Sequence, residues 1–437
     1  MGHVIDRTHK EGLFLLLLGT CVFLFMGTGL VATDPHCMTD FRTAYFSTKT
    51  FLSGADPYDA QSVLNTYSLT GAPPFRTHME QVAVTLNVYP PTEFVPVAPV
   101  AMLPYRLAKP LWFFLIAGGL FCACLLVLDL VAPSTSGLVG LLLGFLIAGS
   151  SSLIFNSNPA GIAVTLAIIA VWSFMRQRWL AFGVFALALS LVLKPHDAGL
   201  IWLCFLLAGN PYRKFAWQSL GLAALLSLPA FLWISHIAPH WPAEAAANLK
   251  IYAQPGSTND PASVYGSYFI ASLQVIFCFV KNDPRFYNLA SLVAMAPLLF
   301  VWAVAAFRIR GSVTNLWFAL ATIAPLSMLP VYHRQYDAKL IILTLPALAS
   351  LWTQRATLRY LALGVTSVAI LLNSDLFWAA ILIVFKPLPI VSLAPVARLR
   401  FALVTFPVPI SLLIVGLFYL WILVQRVRTV EARVISL

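Results

Sequence analysis

Ionisable residues are scarce in this chain, and Asp40 stands where the first apolar run gives way to a more polar stretch. The run covers 12–33, and the stretch after it contains Asp40-Phe41-Arg42. A carboxylate at such a boundary can act as a general base and take a proton from an incoming hydroxyl. The alternative interpretation is a hydrated acid that only flanks a helix.

A lysine interrupts another apolar region, in Leu193-Lys194-Pro195-His196-Asp197. A proline beside a charge predicts a break between two short helices, and an ionisable group within a membrane segment is a functional candidate. Lys194 could therefore contact a phosphate. It could also extend to the interface, as many lysines near membranes do.

Two further polar groups lie next to predicted helix ends. His333 and Arg334 follow the run 314–331, and the arginine guanidinium presents a fork of donors that suits phosphate oxygens. Interfacial anchoring is the alternative for this pair. Asn156 and Asn158 precede a helix predicted to open at Pro159; their amides can cap that helix or hydrogen-bond a sugar or a pyrophosphate-like group.

Motifs for a metal or a soluble cofactor are missing from the sequence. The 8 histidines do not occur in H-E-x-x-H or a comparable spacing, and there is neither a phosphate-binding loop nor a dinucleotide glycine pattern. We therefore expect no metal site and no cofactor. The net charge of +11 is explained by positive-inside topology and by anionic membrane lipids, so no nucleic-acid partner is expected.

Composition indicates the kind of scaffold that must position these groups. Of 437 residues, 60% are apolar and 10% are charged, and the mean hydropathy is +0.85. A soluble domain has about 45–50% apolar residues and about 25% charged residues. This excludes an ordinary soluble globule. It predicts an all-α polytopic membrane protein, a single domain over 1–437, with about twelve spans of about 20 residues each.

The predicted spans are the apolar runs of the chain. They lie at 12–33, 110–131, 137–155, 160–175, 179–193, 197–209, 216–237, 286–307, 314–331, 338–353, 358–376 and 401–424. If both termini are cytoplasmic, the basic short turns all fall on the inner side, as the positive-inside rule requires. The candidate polar groups then fall on the extracytoplasmic side.

This topology gives the outer face two long segments, 33–109 and 238–285. Both are rich in aromatic residues, and long loops in a compact protein are usually functional or disordered. We expect them to be folded, with an interfacial helix over 93–104 after the kink at Tyr89-Pro90-Pro91. The apolar stretches 265–280 and 377–393 are interpreted as interfacial or re-entrant segments.

A series of motifs runs through the chain, mainly through its first half. It comprises Asp40-Phe41 with Tyr45, Gly54-Ala55-Asp56-Pro57-Tyr58, Tyr89-Pro90-Pro91, Pro99 and Leu103-Pro104 leading to Trp112, then Asn158 and Lys194-Pro195. In this order and spacing, the series resembles the glycosyltransferase 87 family. Its members are polyprenyl-phosphate-mannose-dependent mannosyltransferases of the GT-C fold.

The resemblance implies a GT-C fold and inverting transfer of a hexose, mannose in the family. The donor would be a polyprenyl-phosphate sugar and the acceptor a lipid or a cell-envelope glycan, at the outer face of a bacterial inner membrane. Asp40 matches the general base and Lys194 a donor-phosphate ligand, a role carried over also to His333 and Arg334. The expected substrate-binding side chains are Arg42, Tyr45, Tyr89, Asn156 and Asn158.

The chain departs from the family at Phe155-Asn156-Ser157-Asn158, where the family commonly has Gly-Gln-x-Asn. This bears on the identity of the sugar rather than on the reaction. A transporter or flippase of lipid-linked sugars is the alternative function, and it predicts broken helices in both halves of the chain. A non-catalytic scaffold for envelope synthesis is a third.

Overall fold

The apolar runs of the first half fold as helices that alternate with short connections. The computed structural model describes residues 7–435 apart from 258, 264–268, 310, 378 and 381–401. In chain order the first helices are α1 (Arg7–Thr33), α2 (Thr39–Leu52), α3 (Ala60–Ser68), α4 (His78–Thr85), α5 (Phe94–Ala101), α6 (Tyr105–Leu130), α7 (Ser136–Ala148), α8 (Ser151–Asn156), α9 (Ala160–Arg176) and α10 (Leu180–Leu193).

The second half continues in the same manner. Its helices are α11 (Pro195–Leu207), α12 (Tyr212–Ile237), α13 (Trp241–Tyr252), α14 (Gln274–Val280), α15 (Pro284–Arg308), α16 (Val313–Leu326), α17 (Leu345–Thr353), α18 (Arg359–Leu372) and α19 (Pro407–Ile435). Short 3-10 segments precede α5, α7 and α17, at Pro91–Glu93, Pro133–Thr135 and Asp337–Thr344. Within the described ranges there is no strand, only an isolated bridge between Ile270 and Arg334.

Five helices are long and apolar enough to cross a membrane, namely α1, α6, α12, α15 and the Pro407–Thr429 part of α19. They have 23 to 27 residues, which at about 1.5 Å per residue gives about 35–40 Å. A hydrocarbon core is about 30 Å thick. The expectation of a helical membrane protein is therefore confirmed at this level.

The number of spans is less simple than the sequence pattern implies. Each of the twelve predicted runs contains helical structure, but six apolar helices have only 10–17 residues. Lys194 alone separates α10 from α11, and the run 338–353 is divided between a 3-10 segment and α17. The count of twelve spans stays a prediction.

The close contact between α1 and α7 depends on glycines. A Cβ atom added at Gly12 or Gly19 would overlap the α7 backbone at Ser136 or Gly144, and one added at Gly140 or Gly144 would overlap the α1 backbone. Small residues at such positions let two helix backbones approach closely in a membrane, where packing and hydrogen bonding drive association. This pair is the central helix contact of the first half.

Different contacts join the segments at the two ends of the bundle. At one end, Thr8 Oγ1 donates to Pro133 O at 2.5 Å, and Arg176 Nε lies 3.0 Å from Asp129 Oδ2. At the other end, Met38 N–H donates to Phe155 O at 2.5 Å. Two of the segments predicted to be inner turns, 132–136 and 176–178, therefore lie at the end of the bundle opposite the junctions that carry Asp40 and Asn158.

The segments 33–109 and 238–285 fold together as a loop layer. Asn248 Nδ2 on α13 donates to Tyr58 O at 3.0 Å and to Asn87 O at 2.9 Å. Tyr252 OH donates to Ala83 O at 2.6 Å, and the ring of Trp241 stacks on Tyr58 with centroids 5.6 Å apart. The aromatic residues of the two loops thus hold them to each other.

The helix expected over 93–104 is α5, which packs against α2, α6, α10 and α12. The helix α14 lies in the stretch 265–280. Its 7 residues extend over about 10 Å, which is too short to cross a membrane. Residues 265–268 lie outside the described residues, as does most of 377–393.

Candidate functional site

Asp40 lies in the first turn of α2, and its position is set by the residues that precede it. Met38 has a left-handed backbone, with φ 63°, which turns the chain between α1 and α2. Its N–H bonds Phe155 O, so the start of α2 is tied to the end of α8. Asp40 is half-buried as a result and faces the connection between α8 and α9.

Asn158 gathers the side chains around Asp40. Its Nδ2 lies 2.7 Å from Asp40 Oδ2, 3.0 Å from Tyr89 OH and 3.0 Å from Tyr336 OH. Tyr336 OH also donates to Asp40 Oδ2, at 3.3 Å. We call Asp40, Tyr89, Asn158 and Tyr336 the polar cluster. The two bonds to Asp40, from Asn158 and from Tyr336, both reach Oδ2, and neither involves Oδ1.

The same asparagine also caps a helix, which determines how its amide is oriented. Its Oδ1 accepts a hydrogen bond from Ala160 N–H at 2.9 Å, at the start of α9. Because the carbonyl oxygen is used in this way, the NH₂ group is the part that faces Asp40. Trp112 Nε1 donates to Ser157 O at 2.9 Å and fixes the preceding residue.

Lys194 lies beside the polar cluster, at the break between α10 and α11. Its Nζ is 2.7 Å from Asp337 Oδ1 and 3.7 Å from Asp197 Oδ2. It also lies 5.4 Å from the centre of the Tyr336 ring. Tyr336 therefore contacts Asp40 with its hydroxyl and Lys194 with its ring, so the predicted base and the predicted phosphate ligand are neighbours.

Arg334 brings a second cation to this region. Its Nε donates to Tyr332 OH at 2.6 Å, and its guanidinium also bonds Asn259 of the loop layer. Its backbone N–H donates to Asp337 Oδ2 at 2.8 Å. Asp337 thus accepts from the Lys194 ammonium and from the Arg334 backbone N–H, so these two residues are held next to each other.

His333 is fully buried and lies behind Lys194. Its Nδ1 is 3.0 Å from Val331 O, and its Nε2 is 3.3 Å from Asp197 Oδ1. His196 Nε2 lies 3.8 Å from the same carboxylate oxygen. The His196, Asp197 and His333 side chains could together hold a metal ion, since their ligand atoms all lie within 4.8 Å of one another.

Glu93 is a site residue that the sequence analysis did not single out. It is 1% exposed, and neither carboxylate oxygen has a hydrogen-bond partner among the described residues. Burial raises the pKa of the Glu93 carboxyl well above its ordinary value; Lys194 opposes this shift and Asp40 adds to it. The available signal was one carboxylate inside the otherwise apolar run 91–104.

Three of the expected substrate-binding residues are placed in other contacts. Arg42 is fully buried and donates to Glu80, to His36 O and to Tyr67 OH, which joins α2 to α3 and α4. Tyr45 OH donates to Leu103 O at 2.8 Å. Asn156 Nδ2 donates to Ser152 O at 3.1 Å, within its own helix. The structure therefore groups Tyr89 and Asn158 with Asp40 but not these three side chains.

Comparison with known proteins adds no relative. No family model matches the chain, and neither a curated protein nor a solved structure matches it.

Proposed function

We propose that the protein is an integral-membrane glycosyltransferase of the GT-C type, related to the glycosyltransferase 87 family. It transfers a hexose, with mannose as the first candidate, from a polyprenyl-phosphate donor to a lipid or cell-envelope glycan. The observation that carries this proposal is the position of Asp40, whose Oδ2 is held by Asn158 and Tyr336 while Lys194 lies against the same tyrosine ring.

A sugar esterified to a lipid phosphate is already activated, because the phosphate is the leaving group. The protein has to position donor and acceptor and to stabilise the negative charge that develops on the phosphate. Asp40 takes the proton of the acceptor hydroxyl, whose oxygen forms a bond to the anomeric carbon. The bond from that carbon to the phosphate oxygen breaks, and the configuration inverts.

Lys194 and Arg334 are the cations assigned to the donor phosphate. Asp337 holds the Lys194 ammonium and the Arg334 backbone N–H, and Tyr332 and Asn259 hold the Arg334 guanidinium, so a phosphate that enters meets side chains already oriented. His333 stays a predicted phosphate ligand, although its Nε2 faces Asp197 rather than the polar cluster. We also assign Glu93, which is buried within electrostatic reach of Lys194 and Asp40, to a hydroxyl of the substrate.

Orientation in the membrane is part of the proposal. We place the loop layer and the polar cluster on the extracytoplasmic side of a bacterial inner membrane, with both termini in the cytoplasm. The support is the charge pattern of the sequence, together with the position of the basic turn at Arg176, which lies at the end of the bundle opposite Asp40.

The test compares Asp40→Asn with the wild type in membrane vesicles supplied with radiolabelled polyprenyl-phosphate mannose. We expect the variant to be produced normally and transfer to fall by roughly 10²–10⁴-fold, the usual contribution of a general base. Asp34→Asn is the matched control, because Asp34 is in the same loop and pairs with Arg76 at the surface. Transfer at the wild-type rate by Asp40→Asn would remove Asp40 from the role of base.

One observation favours the alternative of a lipid-linked sugar transporter. The break at Lys194-Pro195 and the 3-10 segment Asp337–Thr344 contact each other through the Lys194–Asp337 ion pair, and broken helices that meet at a charged site are typical of transporters. The same vesicles separate the two functions. A transporter moves the labelled donor across the membrane without forming a new glycan.

A further inference from the structure

A second group of side chains lies next to the proposed site; it combines His333, the predicted phosphate ligand, with His196 and Asp197, which the proposed reaction does not use. Asp197 and His333 are 0% exposed, and His196 reaches partly to the surface, with 38% of its side chain exposed. Their ligand atoms lie within 4.8 Å of one another, and the two imidazole centres are 5.0 Å apart. The residues come from the first turn of α11 and from the connection after α16.

The hydrogen bond at Nδ1 of His333 determines which atom faces Asp197. Val331 O lies 3.0 Å from Nδ1, and a carbonyl oxygen can only accept, so Nδ1 carries the proton of the neutral ring. The lone pair of this neutral ring is on Nε2, 3.3 Å from Asp197 Oδ1; the protonated ring would instead direct Nε2–H at that oxygen, and a metal that binds there displaces this proton. A metal-bound histidine is usually oriented in this way, by its other N–H on a backbone carbonyl.

These buried atoms have no hydrogen-bonded partner within the part of the chain that the structure describes. This holds for Nε2 of His333 and for both carboxylate oxygens of Asp197. Buried polar atoms are almost always paired, and each exception needs an explanation, such as an ion. A cation placed between the carboxylate and the imidazoles would be coordinated by all of these groups.

Charge and distance both agree with a divalent ion. Lys194 is 3.7 Å from Asp197 Oδ2 but 2.7 Å from Asp337 Oδ1, so Asp337 is its closer counterion and Asp197 keeps a charge for the metal. Ligands at about 2.1 Å in tetrahedral geometry are about 3.4 Å apart. The separations of 3.3 Å and 3.8 Å to Asp197 Oδ1 are close to this value.

We propose that His196, Asp197 and His333 form a binding site for a divalent transition-metal ion, with Zn²⁺ as the best match to two imidazole nitrogens and one carboxylate oxygen. Three protein ligands leave a fourth position open, as in zinc sites that bind an exchangeable ligand. The site was not evident from sequence spacing, because His333 is far from the other two residues along the chain. The inference does not depend on glycosyl transfer.

The test measures metal binding rather than turnover. The full-length protein in detergent is stripped with a chelator, titrated with Zn²⁺ and passed over a desalting column before its metal content is measured. We expect one tightly held equivalent in the wild type. His196→Ala should weaken binding at least roughly tenfold, the smallest effect seen even for outer-shell partners of metals. His78→Ala, at an exposed histidine of the loop layer, should bind like the wild type.

A second measurement uses the unmodified chain, so that a folding defect in a variant cannot decide the outcome. Co²⁺ in place of Zn²⁺ should give the strong visible absorption of a four-coordinate site with nitrogen and oxygen ligands. The proposal is overturned if the stripped wild type retains no stoichiometric Zn²⁺. It is equally overturned if His196→Ala binds Zn²⁺ as tightly as His78→Ala does.

Discussion

At the scale of single residues, the site depends on side chains that each make more than one contact. Asn158 caps α9 with its oxygen and bonds Asp40 with its nitrogen. Asp337 holds a lysine with one oxygen and a backbone N–H with the other. Such shared contacts fix the orientation of the proposed base and cations before any substrate arrives, which is what preorganised electrostatic catalysis requires.

Replacement of Asn158 by serine should keep the contact with the start of α9 and remove the contact with Asp40. Serine is a good N-cap residue, so the thermal midpoint should change little, whereas its shorter side chain cannot reach Asp40. Hydrogen bonds to charged groups contribute about 1.5–3 kcal/mol, so we expect transfer to fall by about 10–100-fold. The measurement is turnover together with thermal unfolding. Asn158→Ala, which removes the cap as well, should in addition lower the midpoint.

A carboxyl pair in the loop layer makes one contact dependent on pH. Burial and a hydrogen bond shared with Asp56 raise the pKa of Glu244, on α13, to about 7. Because this folded-state pKa lies above the ordinary value, the protonated pair stabilises the contact at low pH. That contribution is lost as the pH rises through about 7.

We therefore expect the amide hydrogens of α13 to be less protected at pH 8 than at pH 6, where protection is the exchange rate relative to the intrinsic base-catalysed rate at the same pH. In Glu244→Gln the amide keeps a donor toward Asp56 without titrating, and the difference between the two pH values should disappear. If the variant still shows the difference between pH 6 and pH 8, a group other than Glu244 causes the pH dependence of α13.

At the scale of helices, two features of the sequence decide how elements pack. Glycines on facing sides of α1 and α7 allow the backbones to touch. The break at Lys194-Pro195 gives two short helices, and the buried lysine at the break is paired with Asp337 and Asp197. Both features position the junctions that carry the polar cluster, since α1 leads to Asp40 and α7 is followed by α8 and Asn158.

The glycine contact predicts a specific loss of stability. In Gly144→Ala the added methyl group would overlap Leu15 O on α1, and overpacking of this kind costs about 1–3 kcal/mol. The matched control is Gly118→Ala on α6, where nothing lies within 4 Å of the added atom. Thermal unfolding in detergent should show a lower midpoint for the first variant only. Equal midpoints for the two variants would mean that α1 and α7 can move apart without a loss of stability.

At the scale of the whole molecule, the two halves of the chain are joined by buried polar contacts. Lys194 reaches Asp337 across the halves, and Asp375 Oδ1 accepts from Ser152 Oγ at 2.7 Å. Lys339 Nζ donates to Asn373 O at 2.9 Å and reaches Gly149 O at 3.4 Å. Residues of the second half therefore contact the α7 to α9 region at more than one place. The site forms only when the two halves of the chain pack together.

The orientation of the whole molecule can be checked by labelling. Ser68 is an exposed residue of the loop layer, and Arg178 is exposed in the turn between α9 and α10. A membrane-impermeant thiol reagent applied to intact cells or spheroplasts should modify Ser68→Cys and leave Arg178→Cys unmodified until the membrane is opened. The reverse pattern would place the polar cluster on the cytoplasmic side and contradict the use of an extracytoplasmic donor.

Much of the architecture could be predicted from the sequence, because hydropathy and helix-breaking residues act locally. Every predicted apolar run contains helical structure, the break at Lys194 is present, and the two aromatic loops fold together. The ends of the shorter helices were less predictable, since packing against neighbours decides where a short apolar helix stops.

The sequence by itself determined that the chain is a helical membrane protein and that its rare polar residues lie at helix ends. Only the tertiary structure decided which of them meet, because residues such as Asn158 and Asp40, 118 positions apart, or Lys194 and Asp337, 143 apart, are brought together by helix packing. Local pattern carries no information about such pairs. For the same reason, the sequence assigned Arg42 to substrate, whereas in the folded chain Glu80 neutralises it.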